Sequence, residues 1–122
     1  HILISGDVSF IYDSNALWIR PFPQNLKIIV LDNQGGGIFK IIDGSKSSKQ
    51  LERYFEAKHN ANVTDIAKGF GLIVYSHKKN KDYQEQIIEF FQDEKAQILV
   101  LKTDSNENPK ALNRFFKHLN NA

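Results

Sequence analysis

Short apolar runs alternate along this chain with polar stretches that carry apolar residues at helical spacing. Four of these runs have the length of buried strands. They are His1–Ser5, Lys27–Leu31, Leu72–Ser76 and Ile98–Lys102. Because strands and helices follow one another in turn, the pattern predicts an α/β fold in which a parallel sheet carries helices on both faces.

The first predicted helix lies between the first two strands. It should begin at the turn Gly6–Ser9 and run to about Ile19, because Pro21 and Pro23 end it. Beyond the second strand, the polar segment Asp43–Ser48 contains Gly and Ser and is predicted to be a mobile loop.

Four more helices are predicted further along the chain. Apolar residues three and four positions apart indicate short helices at Leu51–Phe55 and Val63–Gly69, the second with Asn62 or Thr64 near its cap. A longer helix should cover about Asp82–Gln92, and its apolar face is formed by Tyr83, Ile87, Ile88 and Phe91. The last helix follows Pro109, and its apolar face is formed by Ala111, Leu112, Phe115, Phe116 and Leu119.

Composition and charge exclude several classes of function. The chain has 122 residues, enough for one domain, and its net charge of +2 is too small to indicate a nucleic acid partner. The basic run His77–Lys81 has no interleaved aromatic residue, so we interpret it as a solvated loop. No apolar run is long enough to cross a membrane. Without Met, and opening directly in a strand, the sequence is interpreted as part of a larger protein whose sheet continues before His1.

Candidate chemistry follows the first two strands. Asp7 comes directly after the first strand, and Asn33 follows the second, 26 positions later, ahead of three glycines. A strand–helix–strand unit of this length brings both strand ends to one edge of a parallel sheet. A carboxylate, an amide oxygen and a glycine-rich backbone there suit a hard cation and the phosphates it carries. The alternative is that Asp7 caps a helix, Asn33 forms a turn and the glycines are ordinary loop residues.

The start of the first helix offers donors for a phosphate. The backbone N–H groups of Val8 and Ser9 and the Ser9 hydroxyl would face such a ligand, helped by the helix dipole. Alternatively, Ser9 simply caps the helix, and the two roles are compatible.

These residues carry a family resemblance that extends from Ile2 to about Leu119. The matching segments are Gly6-Asp7-Val8-Ser9-Phe10, Tyr12-Asp13, Asn15-Ala16-Leu17 and Asn33-Gln34-Gly35-Gly36-Gly37-Ile38-Phe39. Thiamine-diphosphate enzymes share a Gly-Asp…Asn motif of about this spacing. The Gly-Gly-Gly-Ile-Phe segment narrows the resemblance to the C-terminal, diphosphate-binding domain of the 2-succinyl-5-enolpyruvyl-6-hydroxy-3-cyclohexene-1-carboxylate synthases (the MenD synthases) of menaquinone biosynthesis.

The resemblance implies a thiamine-diphosphate-binding fold, incomplete at the N-terminus, with a defined set of ligands. Mg²⁺ (or Mn²⁺) would be held by Asp7, Asn33 and the carbonyl of Gly35. The cofactor would contact these and the remaining matched positions, Gly6, Val8, Ser9, Asn15, Ile38 and Phe39. The substrate pocket would include Ile38, Phe39 and Ile42, although on composition alone these three would be plain core residues.

The resemblance also implies partners that these residues do not supply. The complete enzyme would be a cytoplasmic homodimer or homotetramer that decarboxylates 2-oxoglutarate and adds the product unit to isochorismate. Its activating glutamate and the arginines that bind substrate carboxylates would lie outside residues 1–122, so no catalytic residue is expected here. The fragment alone should be inactive and should bind the cofactor weakly or not at all. Another thiamine-diphosphate-dependent decarboxylase or carboligase, and a non-catalytic binding module, remain as alternatives.

Two positions depart from the family pattern. The family usually has two Asn where this chain has Asp32-Asn33, which should leave the metal ligand intact and alter the hydrogen bonds around it. The segment Phe55–His59 matches the family's Phe and His but lacks the small-residue and Pro pattern between them. We therefore interpret His59 as a surface residue.

Overall fold

Four parallel strands form a single sheet in this computed structural model, which describes residues 1–42, 51–76 and 82–120. The strands are β1 (Ile2–Gly6), β2 (Lys27–Asp32), β3 (Ile73–Ser76) and β4 (Gln97–Lys102), in the order β1-β2-β4-β3. All three strand pairs are parallel, which confirms the predicted α/β class. The predicted loop 43–48 and the basic run 77–81 lie outside the described residues.

Four α-helices connect and follow the strands: α1 (Asp7–Tyr12), α2 (Val63–Gly69), α3 (Tyr83–Gln92) and α4 (Asn108–Asn120). Single turns of other helix types occur at Ser14–Trp18 and Gly37–Lys40, both 3₁₀, and at Leu51–Phe55, of π type. The cap of α2 is Asn62, whose side chain accepts the N–H groups of Thr64 and Asp65 at 3.0 and 3.4 Å, as one of the two predicted alternatives requires.

The first helix is shorter than predicted. It ends at Tyr12, and the chain continues to Trp18 as a tighter 3₁₀ helix. The Ser14 hydroxyl donates a hydrogen bond to the Ile11 carbonyl at 2.9 Å. A serine side chain that hydrogen-bonds to a nearby backbone carbonyl competes with the backbone hydrogen bonds of the helix. This competition explains why the α-helix ends before it reaches the prolines.

One face of the sheet holds the main hydrophobic core. Alternate residues of β2 and β4 point to this face and pack under α1, the first 3₁₀ turn and α2. The buried residues are Phe10, Leu17, Ile28, Val30, Val63, Ala67, Leu72, Ile98 and Val100. Strand β2, which leads into the loop of Asn33, is thus held on one side by a continuous apolar layer.

The opposite face is covered by α3, so helices lie on both faces as predicted. The Phe90 ring is fully buried and lies 5.8 Å, centroid to centroid, from Tyr75 of β3. The predicted apolar face of α3 is wrong, because Gln86 and Phe90 face the sheet while Ile88 and Phe91 are exposed. The helix has apolar residues on two neighbouring stripes, and the docking position of the helix decides which stripe is buried.

The prediction that β1 is a buried strand is also wrong. Within residues 1–42, 51–76 and 82–120, it pairs with β2 alone at the edge of the sheet, and Ile4 is 66% exposed. The apolar face of α4 likewise exists but is uncovered among the described residues, with Phe115, Phe116 and Leu119 exposed. Periodicity identifies an apolar face correctly, but only tertiary contacts decide whether it is buried.

Lys27 is a buried cation at the start of β2. Its ammonium group donates to the carbonyls of Asp93 and Lys95, the latter at 2.9 Å, and to Gln97 Oε1 at 3.2 Å. It also lies 5.3 Å from the centroid of the Phe90 ring. These contacts fasten the loop between α3 and β4 to the sheet.

Replacing Lys27 by Met should lower the free energy of unfolding by about 1–3 kcal/mol, because buried carbonyl oxygens lose their donor. Urea denaturation followed by circular dichroism measures the change. Lys117→Met, at an exposed lysine of α4, is the matched control and should change stability by less than about 0.5 kcal/mol. A loss at Lys27 no greater than at Lys117 would contradict the proposed role of these contacts.

Candidate functional site

The carboxyl ends of β1 and β2 meet, and their loops are joined through Asp7. Gly6 pairs in register with Leu31, so Asp7 lies directly beside the start of the second loop. Asp7 Oδ2 accepts the backbone N–H groups of Asn33 and Gly35, both at 3.1 Å. The structure therefore brings together the two loops that the sequence placed at one edge of the sheet.

Asp7 is almost completely buried, with 1% of its surface exposed, and its two oxygens have different environments. Oδ1 accepts one hydrogen bond, from the Val8 N–H at 2.8 Å. Oδ2 accepts the two N–H groups of the second loop and also lies 3.3 Å from His59 Nε2. Because each carboxylate oxygen has about two acceptor positions, Oδ1 is the oxygen with capacity left for a ligand.

A groove of about 390 Å³ opens above these loops. Most of the predicted site residues line it: Gly6, Asp7, Val8, Ser9, Asn33, Gly35 and Ile38. Ile41 and Asn108 line it as well, and the sequence reasoning missed both. Asn108 begins α4, more than 70 positions from either candidate loop, so no local pattern could have indicated it.

Three predicted site residues do not line the groove. Asn15 is exposed in the first 3₁₀ turn, and Ile42 is exposed beyond the second one. The Phe39 ring lies 5.6 Å from the ring of Phe55, centroid to centroid, and packs there. Of the three predicted apolar pocket residues, only Ile38 is therefore part of the groove.

The backbone donors of the site are mostly occupied by the protein itself. Val8 N–H bonds the carboxylate of Asp7, Gly36 N–H bonds the carbonyl of Glu56, and Gly37 N–H bonds the carbonyl of Gly35 at 3.1 Å. Val8 is therefore not a free phosphate donor as predicted, and the start of α1 offers mainly Ser9. An anionic ligand in this groove would depend chiefly on a cation for its binding.

The donors fit a hard cation. Asp7 supplies a buried carboxylate oxygen with spare capacity, and the amide of Asn33 occupies a cradle that only glycine leaves open. A Cβ on Gly37 would lie 2.8 Å from Asn33 Nδ2. Among the described residues, no three His, Cys, Asp or Glu side chains form a metal-binding group. Oxygen groups of the kind that Mg²⁺ prefers are present at the predicted positions, in the Asp7 carboxylate, the Asn33 side-chain amide and the Gly35 carbonyl.

His59 lies at this site, so its interpretation as a surface residue is wrong. Only 18% of its side chain is exposed, and its Nε2 is the atom close to Asp7. Its backbone N–H donates to the Gln34 carbonyl at 3.4 Å. The Phe-to-His spacing of the sequence was the signal that could have identified it, despite the altered residues between them.

Asp32 forms a second buried carboxylate beside Asp7. Burial, and then the negative charge of Asp7, raise the pKa of Asp32, although a backbone hydrogen bond at Gln34 and the charge of Lys102 partly oppose this. One oxygen of Asp32, Oδ1, has no hydrogen-bond partner among the described residues. The departure from the usual Asn thus places an additional acid next to the candidate ligand.

Asp32→Asn should stabilise the metal-free protein at neutral pH. Because its pKa is raised, the Asp32 carboxyl keeps its proton to a higher pH in the folded chain than in the unfolded chain, where its pKa is near 3.8. The stability of the wild type therefore falls as the pH rises from the unfolded pKa through the folded pKa. The variant should gain stability over the wild type above the folded pKa and lose the advantage below about pH 3.8. Denaturation curves across pH test this, with the exposed Asp13→Asn as control. Parallel pH profiles for wild type and Asp32→Asn would contradict the prediction.

Comparisons with known proteins identify the family of this chain. Residues 1–101 match the family described as the thiamine pyrophosphate enzyme C-terminal binding domain. Proteins named 2-succinyl-5-enolpyruvyl-6-hydroxy-3-cyclohexene-1-carboxylate synthase are similar along almost the whole chain. The one from Christiangramia forsetii is 36% identical over 96% of this chain, and those from Flavobacterium psychrophilum and Cytophaga hutchinsonii are 39% identical over 97% and 94%. The matches cover only 20–22% of those relatives, so the chain spans about a fifth of their length.

Proposed function

The chain belongs to the family of C-terminal thiamine pyrophosphate-binding domains of thiamine pyrophosphate enzymes, and we propose that it is the diphosphate- and metal-binding part of a larger MenD-type synthase. Thiamine pyrophosphate is another name for thiamine diphosphate. The observation that carries the proposal is the buried carboxylate of Asp7, which is fixed by the opposite loop and retains one oxygen for a cation.

In this proposal three groups hold Mg²⁺ (or Mn²⁺). They are Asp7 through Oδ1, the amide oxygen of Asn33 and the carbonyl of Gly35. The carbonyl of Gly35 already accepts one hydrogen bond, from Gly37, and has a second acceptor position left. The cation in turn binds the diphosphate, which Ser9 and the backbone at Gly6 approach from the first loop. The buried negative charge of Asp7 is thereby balanced by a ligand.

The complete enzyme would decarboxylate 2-oxoglutarate and transfer the remaining unit to isochorismate. The cofactor supplies the reactive carbon for both steps when it is bound. Residues of this chain fix its diphosphate end, and Ile38 and Ile41 form an apolar wall of the groove. Such a wall excludes water from the part of the site where the charged carboxylate of the substrate is removed by decarboxylation.

The remaining parts of the site would come from elsewhere in the complete enzyme, which we expect to be a cytoplasmic homodimer or homotetramer. They include the glutamate that activates the cofactor and the arginines that bind substrate carboxylates. The chain by itself is therefore proposed to be inactive and to bind the cofactor weakly. No helix in the described part of the chain has the length and apolar character needed to span a membrane.

Asp7→Ala in the complete enzyme should weaken thiamine diphosphate binding at fixed Mg²⁺ by more than about 100-fold, because even outer partners of metal ligands contribute about 10- to 100-fold. Isothermal titration calorimetry measures the affinity. Asp65→Ala, which removes an exposed carboxylate from the first turn of α2, is the control. Unchanged affinity in Asp7→Ala would refute the proposed site.

Ile38→Ala and Phe39→Ala should have different effects in the complete enzyme. Ile38 is exposed in the groove, so its truncation should lower turnover with little loss of melting temperature. Phe39 packs on Phe55, so its truncation should lower both. Steady-state kinetics and thermal melts distinguish the two. If Ile38→Ala leaves turnover unchanged, the apolar wall has no part in the reaction.

A further inference from the structure

Residues 56–59 form a short segment, here called the 56–59 segment. It packs against one side of the loop that contains Asn33 and the three glycines Gly35–Gly37, here called the glycine loop. Its Glu56 carbonyl accepts the N–H of Gly36, and the N–H of His59 donates to the carbonyl of Gln34. The approach is close, since a Cβ on Gly35 would lie 2.8 Å from the Glu56 carbonyl oxygen. The glycine loop and this segment are therefore joined by two backbone hydrogen bonds and close packing.

A buried ion pair anchors the 56–59 segment. Glu56 is buried and lies 2.9 Å from Lys40 Nζ and 3.4 Å from Lys58 Nζ. Lys40 also donates to Ser105 Oγ at 3.2 Å and Asn106 Oδ1 at 2.9 Å. Lys40 thus makes two hydrogen bonds to the residues before α4 and also pairs with Glu56, which makes the pair a structural anchor.

The anchored segment aims the imidazole of His59 at Asp7. Its Nε2 lies 3.3 Å from Asp7 Oδ2, whereas Oδ1 is the oxygen that accepts only the Val8 N–H among the described residues. Neither ring nitrogen is accessible to solvent, and neither has a hydrogen bond of normal geometry within the described part of the chain. Buried ring nitrogens without hydrogen bonds are costly, and the Asp7 carboxylate is an acceptor within 3.3 Å of one of them.

We propose that His59 is a positioning residue for Asp7, an inference that rests on the proposed function. Asn33 and Gly35 hold Oδ2 from the second loop, and a donor at the position of His59 Nε2, 3.3 Å away, makes a further polar contact with the same oxygen that opposes rotation of the carboxylate. Oδ1 then stays directed to the groove, where the cation binds. His59 is not among the residues that line the groove. It acts through the orientation of Asp7, as outer partners do at metal sites.

The test compares His59 variants of the complete enzyme by calorimetric titration of Mg²⁺ at a fixed, saturating concentration of thiamine diphosphate. His59→Leu should weaken Mg²⁺ affinity by about 10- to 100-fold. His59→Gln should restore most of it, because the glutamine amide can reach the position of Nε2. The shorter His59→Asn should not. His118→Leu, at an exposed histidine of α4, is the matched control and should bind as the wild type does.

The difference in Mg²⁺ affinity between His59→Gln and His59→Asn tests the proposal even if His59→Leu fails to fold. If His59 had only a packing role, this affinity would not depend on how far the amide donor of the new side chain reaches. Equal affinities for the Gln and Asn variants, or a wild-type affinity in His59→Leu, would overturn the inference. If Asp7→Ala nevertheless loses affinity in the same assay, the proposed function stands and only the role of His59 fails. If Asp7→Ala also binds as the wild type does, the proposed function itself fails.

Discussion

The buried carboxylate of Asp7 is the constraint on which the site depends. A carboxylate with 1% of its surface exposed is costly unless it is bonded, and here the backbone of a neighbouring strand end supplies the bonds. The same contacts order the glycine loop, because the N–H groups of Asn33 and Gly35 must point at Oδ2. One interaction therefore stabilises the charge, fixes the loop and selects which oxygen remains available.

Glycine has a steric role in this arrangement. Gly35 and Gly36 lie against the Glu56 carbonyl, and Gly37 lies against the Asn33 amide. A side chain at Gly35 would separate the loop from the 56–59 segment, and with it the imidazole of His59 from Asp7. Close packing against the Glu56 carbonyl on one side and the Asn33 amide on the other thus favours glycine at these three positions, in addition to any requirement from a bound ligand.

Local patterns predicted what local forces determine. The apolar runs of β2 and β4 identified those strands to within one residue, and Asn62 was among the expected caps of α2. The adjacency of Asp7 and Asn33 followed from the spacing of a strand–helix–strand unit, and the resemblance to thiamine-diphosphate enzymes identified the chemistry. The placement of Asp7 and Asn33 at one edge of the sheet was thus available from sequence, whereas Ile41 and Asn108 in the groove and His59 beside Asp7 were not.

What failed depends on packing between distant parts of the chain. The exposure of β1 follows from the strand order, and the buried stripe of α3 follows from where the helix docks. His59 reaches Asp7 only because Glu56 and Lys40 anchor its segment below the glycine loop. The strand order and the docking of α3 have no periodic or spaced signature in the sequence, and the Phe-to-His spacing points to His59 without showing its contact with Asp7.

The most direct test of the account is a crystal structure of the complete enzyme with Mg²⁺ and thiamine diphosphate. The account predicts the cation bound to Asp7 through Oδ1, together with the Asn33 amide oxygen, while Oδ2 still accepts the N–H groups of Asn33 and Gly35. A cation bound through Oδ2, or one that does not contact Asp7, would contradict it.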